Sequence, residues 1–270
     1  MRVLALVRKD PRLAGLAQTR WSFRELTGVA IKQRLVRPIS KSRVHEWLVE
    51  AGLQPHRRLQ WLTSHDPDFD RKAADVADLY FNPPPCAARL CVDEKPGMQA
   101  LERLNPPLPM QPGIPERVEF EYRRHGTVGM FGGLNIATGE VLAKCVETRG
   151  VDEFIGYLDQ IVDAYPRGTV HCVLDNLNIH KHSRVENWRA RHRGRFVFHF
   201  LPTHASWLNQ IENWFGILQQ KCLSRASFPS KAALVNQVMR FTREWNRVQK
   251  HPFKWRPDAD WVRSCRGQLQ

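Results

Sequence analysis

Three acidic residues stand where carboxylates could share metal ions. Asp93 follows Leu90-Cys91-Val92 and precedes Glu94-Lys95. Asp175 closes the run Val170-His171-Cys172-Val173-Leu174 and is followed by Asn176. Glu212 lies in Leu208-Asn209-Gln210-Ile211-Glu212-Asn213-Trp214. Apolar, β-branched runs read as buried strands, and ligands gather at the carboxyl ends of parallel strands. Asp93 and Asp175 can therefore converge. The stretch between Asp175 and Glu212 accommodates one helix and one strand, enough to return the chain to the same edge. On a helix, Glu212 would share a face with Leu208, Phe215 and Gln219, which directs it inward rather than into bulk water. Three hard carboxylates suit Mg²⁺ or Mn²⁺. Two such ions roughly 4 Å apart can activate a nucleophile and stabilise a phosphodiester's leaving oxygen. Each acid alone reads as readily as a solvated charge or a helix cap; their joint placement carries the argument.

The elements that must position them change in kind along the chain. Ser22-Phe23-Arg24-Glu25 is a capping box opening a helix to about Lys32. Pro38 breaks the chain, and Ser40 can cap a second helix whose Val44, Trp47, Leu48 and Ala51 form one apolar stripe ended by Gly52. The pair fits a helix-turn-helix, with Lys41, Ser42, Arg43 and His45 where a recognition helix meets base edges. This DNA-binding segment is expected over 1–65, in incomplete form. A helical linker over 66–87 ends in the proline run after Asn82. A mixed sheet with helices should follow over 88–255, and 256–270 reads as a tail. Strands are expected at 90–93, 127–136, 141–147, 170–174 and 196–201, with a hairpin turn at Ala137-Thr138-Gly139-Glu140. Helices are expected at 152–165, 181–191, 207–221 and 230–246, and 96–126 reads as a long loop. The class is α/β, preceded by a small all-α segment.

Composition agrees with a polyanionic partner. The 270 residues carry 41 Lys and Arg against 27 Asp and Glu, a formal charge of +14. Such an excess favours a phosphate-rich ligand. No apolar run approaches the roughly 20 residues that cross a bilayer, so a soluble, cytoplasmic protein without membrane association is expected. The cysteines form no C-x-x-C pair, and Cys91, Cys145 and Cys172 read as small core residues; Cys265 lies in the tail.

The chain resembles a DDE transposase of the Tc/mariner superfamily, close to the bacterial insertion-sequence group called IS-six-thirty. The residues that carry the resemblance are Val92-Asp93-Glu94-Lys95-Pro96-Gly97, Tyr122-Arg123-Arg124-His125-Gly126-Thr127, Leu174-Asp175-Asn176 with His180, and the Leu208 to Trp214 motif. It implies an RNase H-like catalytic domain with Asp93, Asp175 and Glu212 as the metal-binding and catalytic triad for two Mg²⁺ or Mn²⁺ ions. It implies cleavage at transposon terminal inverted repeats and strand transfer into target DNA at TA. It also implies double-stranded DNA as partner, a homodimer and association with the nucleoid. Gln210 stands where many relatives have proline. A non-catalytic DNA-binding remnant that represses its parent element is the alternative, and a general RNase H-like nuclease a third reading.

Other residues are read with less chemistry. His180 could contact a phosphate, orient a metal-bound water or simply open a polar helix; His182 reads as the latter. Glu94, adjacent to Asp93, should point to the opposite face and form a salt bridge. Lys95, Lys181 and Arg184 are candidate phosphate contacts, with the basic stretches 181–195 and 221–270. Ser206 looks like the N-cap of the Glu212 helix. His204 and Trp207 could line a DNA channel, whereas Trp188, Trp214 and Trp245 fit packing roles.

Overall fold

The structure, a computed structural model, describes residues 2–53, 55 and 64–254. The C-terminal tail with Cys265, and positions 56–63 of the N-terminal segment, lie outside the described residues. The chain divides into two compact units, Met1–Trp61 and Leu62–Gln270.

The first unit holds α1 (Arg2–Val7), α2 (Phe23–Lys32) and α3 (Lys41–Glu50). The Ser22 hydroxyl accepts the Glu25 N–H, and the Glu25 carboxylate accepts the Ser22 N–H, so α2 starts on a closed capping box. Ser40 caps α3 through the Arg43 N–H at 3.2 Å. Val3, Leu6, Trp21, Leu26, Ala30, Val44 and Leu48 make its core. Of the stripe expected on α3, Val44 and Leu48 are buried, Trp47 is half-buried and Ala51 is exposed.

The second unit begins with α4 (Phe69–Phe81) and is organised by β1 (Ala88–Arg103), β2 (Tyr122–Asn135), β3 (Val141–Val146), β4 (Val170–Leu174) and β5 (Phe196–Phe200). The sheet order is β3-β2-β1-β4-β5. The first three strands are antiparallel, while β1, β4 and β5 run parallel. Between β3 and β4 runs α5 (Val151–Ala164), and α6 (Ser183–Arg191) joins β4 to β5. α7 (Ile211–Leu218) and α8 (Lys231–Glu244) follow β5. Side chains alternate across the pleat, so Cys91 faces the core shared with α7 and α8, while Leu90 and Val92 face the core shared with α5 and α6. Two faces are thus covered, which is why Leu90 to Glu94 are all buried.

Two expectations change. The long loop over 96–126 is largely a hairpin arm: β1 continues to Arg103 and pairs with β2 from Tyr122, and further bridges join Leu108 to Arg117 and Gln111 to Ile114. Pro96 disguised the strand. It sits where the register shifts between Lys95 and Met98, so its missing N–H costs no ladder bond. The helix expected over 207–221 is broken. A 3₁₀ turn, Ser206–Leu208, is followed by extended Asn209, then by α7, then by a π turn, Gln219–Leu223. Leu208 therefore does not share a helix with Glu212, and Ser206 is not its N-cap; Gln210 precedes α7 without a side-chain cap bond. Likewise, the basic helix starts as a 3₁₀ turn, Asn178–Lys181, before His182 Nδ1 accepts the Arg184 N–H and caps α6.

Candidate active site

Parallel pairing sets the first two acids. β1 and β4 run in constant register from Ala88↔Val170 to Cys91↔Val173, and the same offset carries Asp93 level with Asp175. Asp93 is not at a strand end, as expected, but inside the long β1. What ends there is the parallel pairing, since β4 stops at Leu174.

Alternation sends Asp93 and Glu94 to opposite faces. Asp93 faces α7, where Gly132 pairs with it across the ladder. A Cβ on Gly132 would lie 2.8 Å from the Phe215 ring, so glycine admits α7 beside Asp93. The Asp93 Oδ1 accepts the Glu94 N–H at 2.8 Å, and Oδ2 accepts Asn209 Nδ2 at 3.2 Å. Burial first, then the charges of Glu94, Asp175 and Glu212, push the Asp93 carboxyl up to about 7 against the pull of that backbone N–H. Glu212, on the first turn of α7, is also raised by burial, with Lys95 opposing. Lys95 is half-buried, and its Nζ lies 5.9 Å from the centre of the Phe215 ring.

Glu94 faces α5 and pairs with His180. The 3₁₀ turn after Asp175 folds His180 back beneath it. His180 Nε2 lies 2.9 Å from Glu94 Oε1, and Nδ1 lies 3.0 Å from Asp175 Oδ1. The imidazole rests 4.5 Å from the Phe154 ring and is 0 % exposed. Burial pulls its pKa down, but the two carboxylates outweigh burial and hold it at about 9. His180 therefore cannot reach a DNA phosphate, which corrects that expectation. Asp175 is pushed up by burial, yet His180, the Leu177 N–H and Lys181 leave it net below its ordinary value.

The Glu94, Asp175 and His180 ligand atoms lie within 4.8 Å of one another. This set shares only Asp175 with the three acids singled out from the sequence. Both His180 nitrogens face carboxylates, so the imidazole bridges charges rather than offering both nitrogens to one ion. The donors that fit a hard cation are oxygens: a buried, protonation-prone Asp93, Asp175 with Oδ1 turned to His180, and Glu212; on the other face, Glu94 Oε2 is buried without a hydrogen-bond partner among the described residues. Glu94 points away from Asp93 and forms an ion pair, as expected, with His180 as its partner, whereas Asn209 was missed as a partner of Asp93. The signal for Asn209 was its place three positions before Glu212.

The other candidates are dispersed. Lys41, Ser42, Arg43 and His45 are exposed on α3. Arg43 pairs with Glu46 at 2.7 Å, and His45 stands edge-on to Phe23. Lys181 is exposed and donates to Asn176 Oδ1 at 2.7 Å. Arg184 is exposed in an ion pair with Asp152. His204 is exposed in a left-handed conformation, φ 61°, and Trp207 is 43 % exposed, so it is not core. Trp188, Trp214 and Trp245 are buried, as are Cys91 and Cys172; Cys145 is half-buried. Among the described residues no helix is long and apolar enough to cross a membrane.

Comparison with known proteins adds a family and a fold. Residues 88–235 match the family described as DDE superfamily endonuclease. No curated protein matches the sequence. Solved structures share the fold, a mixed sheet of RNase H-like type, among them three Mos1 complexes. A Mos1 transposase paired-end complex with the left transposon end superposes with TM-score 0.62 at 15 % identity, over 98 % of this chain and 77 % of that one. A Mos1 mariner paired-end complex with Mn gives 0.56 at 15 %, over 98 % and 74 %. The Mos1 strand transfer complex gives 0.56 at 14 %, over 98 % and 72 %.

Proposed function

The chain belongs to the DDE superfamily of endonucleases, and we propose that it is a metal-dependent DNA transposase that cleaves phosphodiesters at transposon ends and joins the freed ends to target DNA. The observation that supports this reading is that Asp175 and Glu212 lie close enough to Asp93 for their charges to act on its buried carboxyl. Burial first, then the charges of Glu94, Asp175 and Glu212, raise Asp93 to about 7, an arrangement that a divalent cation would relieve. In this reading Asp93, Asp175 and Glu212 hold two Mg²⁺ or Mn²⁺ ions, which supply an activated nucleophile and stabilise the leaving oxygen. The Mos1 relatives, solved with Mn, with a transposon end and as a strand transfer complex, support the metal, the DNA partner and the second step.

Asp93 and Asp175 present oxygens from neighbouring strands. Glu212 closes the third side from α7. Lys95 and Lys181 flank the acids and would meet the scissile strand's phosphates, with Arg184 and His204 further out. Lys41, Ser42, Arg43 and His45 on α3 would read terminal inverted repeats. The chain is assigned to the IS-six-thirty-like group, with a TA target, a homodimeric assembly and a cytoplasmic, nucleoid-associated setting. The domains follow as a helix-turn-helix segment over 1–65, a linker over 66–87 and the catalytic domain over 88–255. A nicking assay on a plasmid bearing the element's ends tests the reading. Cleavage should require Mg²⁺ or Mn²⁺ and vanish in Asp175→Ala; nicking that survives that substitution refutes the proposed mechanism.

A further inference from the structure

Asn209 lies in extended backbone between the 3₁₀ turn and α7, at φ −88° and ψ 103°. Its side chain is buried, and its Nδ2 donates to the Val92 carbonyl at 2.9 Å and to Asp93 Oδ2 at 3.2 Å. Its own carbonyl accepts the Glu212 N–H at 3.1 Å. One residue thus ties the Asp93 carboxylate, by its side chain, to the start of the Glu212 helix, by its backbone. A separate stitch holds the same loop: the Tyr80 hydroxyl donates to the Leu208 carbonyl at 2.6 Å.

The side-chain chemistry is specific. Asn209 Oδ1 is buried with no hydrogen-bond partner among the described residues. An unsatisfied acceptor is unfavourable, and what the site uses is the Nδ2 donor group of a neutral amide, which meets both the Val92 carbonyl and Asp93 Oδ2. An aspartate would add a further negative charge without a donor, and a lysine would place a cation among the acids. We propose that Asn209 is a positioning residue that fixes the orientation of Asp93 Oδ2 and its separation from Glu212. This role rests on the metal-dependent reading above. Partners of this outer kind typically change metal affinity or activity by about 10–100-fold.

The test is Mn²⁺ affinity of the full chain, by titration calorimetry, beside thermal unfolding in EDTA and the Mg²⁺ concentration for half-maximal nicking. Asn209→Ala should weaken Mn²⁺ binding about tenfold or more and shift the Mg²⁺ requirement upward, with a smaller loss of rate at saturating Mg²⁺. Asn209→Ser, whose hydroxyl is too short to reach Asp93, should do the same and stands in if the alanine variant does not fold. Tyr80→Phe, which loosens the same loop without touching Asp93, should lower the unfolding midpoint and leave Mn²⁺ affinity unchanged. Wild-type Mn²⁺ affinity in a folded Asn209 variant, or an equal loss in Tyr80→Phe, overturns the proposal. Equal Mn²⁺ binding by wild type and Asp175→Ala would instead strike at the metal-dependent reading itself.

Discussion

Asp93, inside β1, and Asp175, just past the end of β4, stand level, yet their surroundings drive them in opposite directions. Asp93 is buried among carboxylates, and among the described residues its donors are one backbone N–H and the Asn209 amide, so its charged form is disfavoured. Asp175 is more open and is gripped by His180 and the Leu177 N–H, so its charged form is favoured. Residue type and level across the parallel pair are shared; the partners delivered by α7 and by the turn after β4 are not. Identical side chains thereby acquire opposite charge preferences.

The sharpest way to break this contrast is to neutralise each acid in turn. Asp93→Asn and Asp175→Asn should both abolish nicking, by more than the roughly 100-fold upper range for outer partners of a metal site. Their effects on the metal-free fold should differ in sign. Asp93→Asn removes a buried like charge and should raise the urea midpoint, while Asp175→Asn leaves His180 facing one carboxylate and should lower it. A common sign for both would erase the contrast.

Next in size is the clamp. His180→Phe leaves Glu94 buried and unpaired, and breaking such pairs costs about 3–5 kcal/mol. Because Asp175 is partly exposed, a loss of about 3 kcal/mol in urea unfolding is expected. Stability equal to wild type would show that the clamp contributes nothing.

pH separates the two acids further. In the metal-free protein Asp93 binds its proton up to about 7, well above its ordinary value, so the folded state holds a proton that the unfolded chain has lost. Stability from this group is full below about pH 4 and falls as pH rises to about 7, by at most about 1.4 kcal/mol per unit. His180, raised to about 9, contributes fully below about pH 6.5, and its contribution is lost as pH climbs to about 9. Asp175, held low, acts oppositely and loses its contribution as pH falls. Urea melts in EDTA should therefore weaken from mild acid to mild alkali, and Asp93→Asn should flatten only the lower part of that slope. Stability that climbs across this range would contradict the assignment.

The smallest effect concerns the surface. Lys181→Ala should leave the unfolding midpoint unchanged, weaken binding to all DNA sequences alike and reduce the salt slope by about one unit. A filter-binding salt series reads this directly, and a sequence-dependent loss would exclude a plain phosphate contact.

Much of the molecule is written locally. The capping box at Ser22, the Ser40 cap, the hairpin turn at Gly139 and the apolar runs of β4 and β5 are short-range signals, and the structure carries each. The hairpin arm escaped because Pro96 reads as a strand breaker unless its place at a register shift is known. The break at Asn209 escaped because nothing local ends a helix there; its amide is drawn to Val92 and Asp93, far away in sequence. His180 looked like a surface residue for the same reason, since only the fold brings Glu94 and Phe154 around it.

The sequence by itself determined which acids could act, because an apolar strand followed by a carboxylate and a helix bearing another are local patterns. Only the tertiary structure decided how each acid is held. Pairing register, strand alternation and the close approach of α7 at Gly132 choose the neighbours, and hydrogen bonding and desolvation depend on those neighbours rather than on residue type.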